Sequence, residues 1–181
     1  MVKIVQKENP VLREKAKEVP ISEIAGKKMK NLISRMKTAL EKEDDGVAIA
    51  APQVGVPLRI FIVSGKAFAL AKDKNIDEET AGNKKKYSDV VFINPKLTKL
   101  SKKRLWQVEG CLSLRFLYGK VKRAEKATVV GYEEYGKRFT RGASGLLAQI
   151  FQHETDHLDG ILFTDKAKEV KNIPPEKITN G

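Results

Sequence analysis

The sequence predicts one compact domain that combines a few helices with mainly antiparallel strands. Three observations predict it: two stretches with a helical apolar period, a run of short β-rich segments between them, and a hairpin turn within that run. Residues 22–43 carry Ile24, Leu32, Ile33, Met36, Ala39 and Leu40 at three- and four-residue spacings among lysines, the pattern of a long amphipathic helix. Ser22 is available as its N-cap, Gly26 weakens only its first turn, and Gly46 lies beyond its end. Residues 59–63, 90–93, 104–108, 121–124 and 127–132 are short, rich in β-branched or aromatic side chains and bounded by Gly, Pro or Asn, so they read as strands. Glu134-Tyr135-Gly136-Lys137 reads as a tight turn into a further strand over 138–140, which makes much of the sheet antiparallel. Residues 64–88 show no sustained apolar period and read as a surface insertion. The helical period returns over 144–158 with Leu146, Leu147, Ile150, Phe151 and Leu158, and Gly160 is its stop signal. That helix is expected to be mostly buried. Residues 166–181 are polar, contain Pro174-Pro175, and read as a short tail.

The 181 residues, 41% of them hydrophobic and 32% charged, suffice for one real core and exclude a wholly disordered chain. Lys and Arg number 35 against 23 Asp and Glu, a net charge of +12, so a polyanionic neighbour such as RNA is worth weighing. Charge alone names no partner. A single cysteine, Cys111, excludes an intramolecular disulfide framework, and Lys3, Lys7 and Glu8 interrupt any early apolar run of the signal-peptide kind. A reducing cytosol is the expected setting. No apolar stretch approaches the roughly 20 residues that span a bilayer, so no membrane segment is expected.

The chain has two histidines, and both lie in Gln152-His153-Glu154-Thr155-Asp156-His157 on the second helix. Residues four apart stand about 40° apart around a helix axis and one turn along it, so both imidazoles can reach one metal ion. Glu154 is then placed to approach a water on that ion without being a ligand. The competing reading makes the three ordinary helix residues. Three ionisable groups in the buried turns of an apolar helix are costly without a compensating cation, which favours the metal. A catalytic site also needs a third protein ligand, and with no further histidine the candidates are a carboxylate or Cys111 in Glu109-Gly110-Cys111-Leu112-Ser113. A lone cysteine is more often inert packing, but Gly110 permits close backbone approach and Glu109 suggests a fixed polar loop. The segment Gly46-Val47-Ala48-Ile49-Ala50-Ala51-Pro52-Gln53 has small residues that let an extended ligand lie along its backbone, and Gln53 offers an amide donor. Taken alone, a buried turn with Gln53 exposed is the simpler reading of that segment.

Together, the segments 46–53, 109–113 and 152–157 resemble the three ordered signature segments of peptide deformylases. Further similarity lies in Asn9-Pro10-Val11-Leu12-Arg13, Phe92-Ile93-Asn94-Pro95, Tyr118-Gly119, Val121, Arg123-Ala124 and Gly145-Leu146-Leu147-Ala148, so the resemblance covers nearly the whole chain apart from the insertion and the tail. It implies an α+β fold with antiparallel sheets packed around a central metal-binding helix. The implied activity is removal of the formyl group from the N-terminal formyl-methionine of nascent polypeptides. By the resemblance, Cys111, His153 and His157 hold one divalent metal, with Fe2+ first in order and Ni2+, Co2+ or Zn2+ tolerated. Glu154 is the general base and acid, and Gln53 with the Leu112 backbone N–H faces the oxyanion. The substrate methionine then needs an apolar pocket, for which Leu146 and Ile150 lie on the stripe of His153 and Val47 joins them. Gly46, Ala48 and Glu109 complete the expected substrate-binding set.

Three features depart from the family pattern. Ala48 stands where glycine is usual and adds a methyl beside the bound peptide. Leu114-Arg115 replaces an aliphatic residue and proline after Ser113, so the loop is expected to be more flexible or to give Arg115 a role of its own. The long basic C-terminal helix by which some members dock on the ribosome has no counterpart here, which leaves only a transient ribosome contact through residues 84–86 or 102–104, with a solvated basic face the simpler reading. Expected partners are therefore formyl-methionyl peptides, with neither DNA nor membrane, in the cytoplasm or an organellar matrix. Two other readings compete. A metallopeptidase would share the HExxH helix, but zinc peptidases of that pattern usually take a later His or Glu as third ligand. A basic RNA- or ribosome-binding module, with the metal structural or absent, would bind RNA in a salt-sensitive way. Against it, the chain has one Trp and no RNA-binding signature around it.

Overall fold

In the computed structural model, residues 3–73 and 87–175 are described. Among the described residues, three α-helices, α1 (Lys27–Glu41), α2 (Gly65–Asp73) and α3 (Gly145–Leu158), accompany eight strands. These are β1 (Ala48–Ala50), β2 (Ile60–Val63), β3 (Val90–Leu100), β4 (Arg104–Gly110), β5 (Leu117–Ala124), β6 (Lys126–Tyr132), β7 (Arg138–Ser144) and β8 (Lys168–Asn172). The strands form a five-stranded sheet in the order β1-β2-β3-β6-β7 and a three-stranded sheet in the order β4-β5-β8. Every pairing within them is antiparallel. The fold is α+β with antiparallel sheets, as the sequence predicts.

Helix α3 packs against β1, β2, β3, β6 and β7 of the larger sheet and against β5 of the smaller. Its buried stripe of Ala148, Ile150, Phe151 and Leu158 follows the helical period. Phe151 joins Phe92 at a centroid distance of 5.1 Å, and Phe92 stacks on Phe61 at 4.5 Å. Each such pair adds about 0.5–1.5 kcal/mol beyond area burial. The end of α3 is fixed by Gly160, whose φ of +73° suits the left-handed stop and whose missing Cβ lets the Arg13 carbonyl approach. A Cβ there would lie 2.5 Å from that oxygen. The amide of Ala16 then donates to the Leu158 carbonyl at 2.9 Å.

Four expectations change. Helix α1 starts at Lys27, with extended Gly26 as its N-cap, while Ile21–Glu23 is a separate 3-10 turn that removes Ser22 from the capping role. Glycine costs about 1 kcal/mol inside a helix and only a few tenths at an N-cap, so it marks the boundary. Strand β3 continues past Pro95 to Leu100, because Asn94 at φ +49° and a register shift between Ile93 and Lys96 form a bulge that tolerates proline. The expected insertion begins with α2, whose Ala67 is buried. Its remainder at 74–86, including Lys84, Lys85 and Lys86, lies outside the described residues. The expected tail contains β8, a strand with all five residues exposed that pairs with β5 through its backbone and therefore leaves no hydrophobic pattern.

Candidate active site

Strand β4 ends at Gly110 and delivers Cys111 and Leu112 opposite the face of α3 that carries His153 and His157. Glycine at 110 lets the Tyr118 ring pack close to the strand end, since a Cβ would meet that ring at 2.8 Å. The ligand atoms of Cys111, His153 and His157 all lie within 4.8 Å of one another, with Cys111 Sγ 3.2 Å from His157 Nε2. The sequence spacing predicts the two imidazoles together, and the fold adds the thiol.

Behind His153 stands a chain of charges that runs from buried Glu109 and Arg123 outward to exposed Lys166. Its Nδ1 lies 3.0 Å from Glu109 Oε2, and the Glu109 carboxylate accepts from Arg123 Nε and Nη2 at 2.7 and 2.9 Å. Arg123 Nη1 reaches Asp156 at 2.6 Å, and Lys166 reaches the other oxygen of Asp156 at 2.7 Å. With Nδ1–H donating to Glu109, His153 keeps its Nε2 lone pair for a ligand role. Glu109 lines the cavity, but both of its carboxylate oxygens are engaged by protein groups. Its side chain is thus positioned to orient His153. Burial opposes ionisation of Glu109, yet Arg123 and His153 outweigh it and bring its carboxyl to about 2. The stability this gives is present above the usual carboxylate range and is lost as pH falls through about 2. Arg123→Met, leaving that carboxylate buried with no cationic partner but His153, is expected to cost about 3–5 kcal/mol in a denaturant or thermal unfolding measurement.

Burial also opposes ionisation of the Cys111 thiol, and the neighbouring imidazoles, His157 before His153, bring it down to about 5. The sulfur is then a thiolate at neutral pH. Burial raises the Glu154 carboxyl above its ordinary range, and its Oε2 has no hydrogen-bond partner among the described residues; His157 Nδ1 has none either. One thiolate and two imidazoles form a donor set that fits a single divalent transition ion, with the unpartnered Glu154 carboxylate oxygen outside that set.

Gln53 is 2% exposed, because the 3-10 turn Ala51–Val54 folds it inward. Its Oε1 accepts from the Ala50 amide at 2.8 Å, and its Nε2 faces Ser113 Oγ at 3.2 Å and Cys111 Sγ at 3.5 Å. These residues surround a cavity of about 310 Å³. Gly46, Val47, Ala48 and Gln53 contribute from the β1 region, Glu109, Cys111 and Leu112 from the end of β4, and Leu146, Ile150, His153 and Glu154 from α3. His157 is 1% exposed and completes the thiolate and imidazole cluster.

Two departures in sequence have structural outcomes. Ala48 is 7% exposed and belongs to the core cluster of Phe61, Val63 and Ile150, which absorbs its methyl. The loop after Cys111 is pinned: Leu114 is buried, and Arg115 pairs with Glu43 and, at 3.0 Å, with Asp45. Arg123 and Asp156 were not among the expected site residues. A readable signal existed for Arg123, which lies two residues from apolar Val121 on a strand and so shares its buried face.

Two imidazoles of an HExxH helix and a strand-end thiolate, meeting at one cavity within an antiparallel α+β frame, define a protein of the single-metal-site class. The chain belongs to the polypeptide deformylase family, whose model matches residues 1–172. It is 40% identical over 164 residues to peptide deformylase 1A, chloroplastic/mitochondrial, of Arabidopsis thaliana, covering 90% of this chain and 60% of that one. It is 36% identical over 162 residues to peptide deformylase 2 of Clostridium acetobutylicum, covering 90% of this chain and 92% of that one. This chain therefore spans well under two thirds of the plant relative's length and nearly all of the bacterial relative's. It is similar to the crystal structure of peptide deformylase from Thermotoga maritima, with a TM-score of 0.75 and 30% identity over 93% of this chain and 98% of that one. It is also similar to a Met-Ala-Ser-bound class I type b peptide deformylase from Acinetobacter baumannii, with a TM-score of 0.76 and 28% identity over 92% of this chain and 98% of that one. No helix among the described residues is long and apolar enough to cross a membrane.

Proposed function

We propose that this chain removes the formyl group from the N-terminal formyl-methionine of new polypeptides and releases formate. The observation that carries this reading is the convergence of Cys111, His153 and His157 at a cavity that Cys111, His153 and Glu154 line, with one Glu154 oxygen unpartnered among the described residues. Cys111, His153 and His157 hold the metal, with Fe2+ the ion in the cell and Ni2+, Co2+ or Zn2+ tolerated. Bound there, a divalent ion supplies a Lewis acid that makes water a nucleophile near neutral pH and polarises the formyl oxygen.

The chain's own groups do the rest. Strand β1 is an edge strand of its sheet, so the backbone around Gly46, Val47 and Ala48 is placed to receive an extended peptide. Val47, Leu146 and Ile150 offer apolar surface to the methionine side chain. Glu154 takes a proton from the attacking water and delivers it to the departing amine as the C–N bond breaks. Gln53 Nε2 and the Leu112 N–H stabilise the tetrahedral oxyanion, and losing one such donor costs about 2.7–4 kcal/mol in the barrier. Gln53→Leu is accordingly expected to lower kcat about 10²–10³-fold with a much smaller change in KM, read in a formate assay beside a thermal melt. The setting is the cytoplasm or an organellar matrix, and transient contact with the ribosome belongs to the same reading.

The test is formate release from formyl-Met-Ala-Ser by protein prepared without oxygen and loaded in turn with iron, nickel and cobalt. The reading expects release from the formyl peptide and none of acetate from acetyl-Met-Ala-Ser. No formate with any of the three ions would overturn it.

A further inference from the structure

The outer face of the β4-β5-β8 sheet carries side chains that the cavity chemistry does not use. Directly paired residues on antiparallel strands point to the same side. Trp106 pairs with Lys122, Val108 with Lys120, and Lys120 with Lys168, so these five share one face. Glu109, Val121 and Arg123 occupy the other face, and all three are buried. Trp106 is 48% exposed on the outer side although burying an indole is strongly favourable. The ammonium groups of Lys168 and Lys122 stand 5.3 and 6.0 Å from its ring centroid. Lys120 is held by Glu169 at 2.8 Å, which leaves Lys122 and Lys168 as the cations that flank the ring.

We propose that this face binds single-stranded RNA, with Trp106 as the stacking platform and Lys122 and Lys168 on the flanking phosphates. An exposed aromatic ring set among cations is what a single strand recognises, because every base has a π-face and every linkage a negative charge. The net charge of +12 favours a polyanion over other partners. Duplex RNA fits less well, since its bases are stacked inside and a ring on a sheet surface cannot reach them. An acidic peptide would engage the lysines and leave the indole without a partner. Of the charge runs in the sequence, 102–104 adjoins this surface, because Arg104 lies two residues before Trp106 on β4 and shares its face, while 84–86 lies outside the described residues. Val108 both belongs to this face and lines the cavity, so a bound strand lies beside the cavity mouth. The proposal does not depend on the chemistry assigned to the cavity.

The experiment titrates the full chain with a labelled oligouridylate of about a dozen nucleotides, within the span of known single-strand sites. Anisotropy reports binding, and because the chain has one tryptophan, fluorescence quenching reports directly on Trp106. Binding with quenching is expected, weakening as salt rises. Trp106→Ala should weaken affinity about 5–150-fold, the range that stacking one base supplies. Lys122→Glu with Lys168→Glu should weaken it and flatten the salt dependence. All variants should keep the wild-type melting temperature and the wild-type rate on formyl-Met-Ala-Ser. No binding at low salt, or binding that Trp106→Ala leaves unchanged, overturns the proposal. So does equal, Trp106-dependent binding of poly-glutamate or of vesicles of anionic phospholipid.

Discussion

Glu154→Gln is expected to reduce formate release about 10²–10⁴-fold, the usual contribution of a positioned general acid and base, while the protein still binds its metal. Glu154 is buried beside the cavity, its Oε2 has no partner among the described residues, and burial raises its carboxyl above the ordinary range. A carboxyl so placed accepts a proton readily and gives it up again, as the departing amine requires. The amide has nearly the same shape and cannot take that proton. Stability should move the other way or not at all, because an unpaired buried carboxylate costs more to desolvate than a neutral amide. A variant that is inactive, folded and metal-loaded, with a melting temperature at or above wild type, is the expected combination. Retained activity would remove Glu154 from the mechanism.

Cys111→Ser is expected to lose both the ion and the activity. At neutral pH the Cys111 sulfur is an anion, since the imidazoles hold its thiol at about 5 against the opposing effect of burial. A serine hydroxyl in the same place stays neutral and offers a harder, weaker donor. In metal-stripped wild-type protein, the rate of iodoacetamide alkylation should rise through a midpoint near pH 5 where an ordinary thiol shows one near 8.5. Reloading with a divalent ion should protect the sulfur. The sign of the linkage is fixed: the stability gained from the thiolate is fully present above the ordinary thiol range and is lost as pH falls through about 5. Metal-free protein should therefore become easier to unfold across that interval.

The pair of imidazoles in the candidate metal site is the most legible part of the molecule, because i and i+4 on one helix place them together without knowledge of the fold. Cys111 was legible as a candidate, but its meeting with the helix depends on two sheets and a glycine at 110, which no local pattern encodes. The main strands and α3 were readable from their periods, whereas β8 was not, since a strand with no buried residue has no period to read. The apolar spacing puts the start of α1 too early because it includes Ile24, which is buried at the C-cap of the preceding 3-10 turn and not in the helix. The pairing of Arg123 with Glu109 joins residues 14 positions apart through strand register, so the second role of Glu109 emerged only with the fold.

X-ray absorption at the edge of the bound metal, on protein prepared without oxygen, tests the central claim most directly. One sulfur and two imidazole nitrogens should surround a single ion, near 2.3 Å and about 2.0–2.1 Å for zinc-loaded protein. A bound ion without a sulfur neighbour in the wild-type protein would contradict the account.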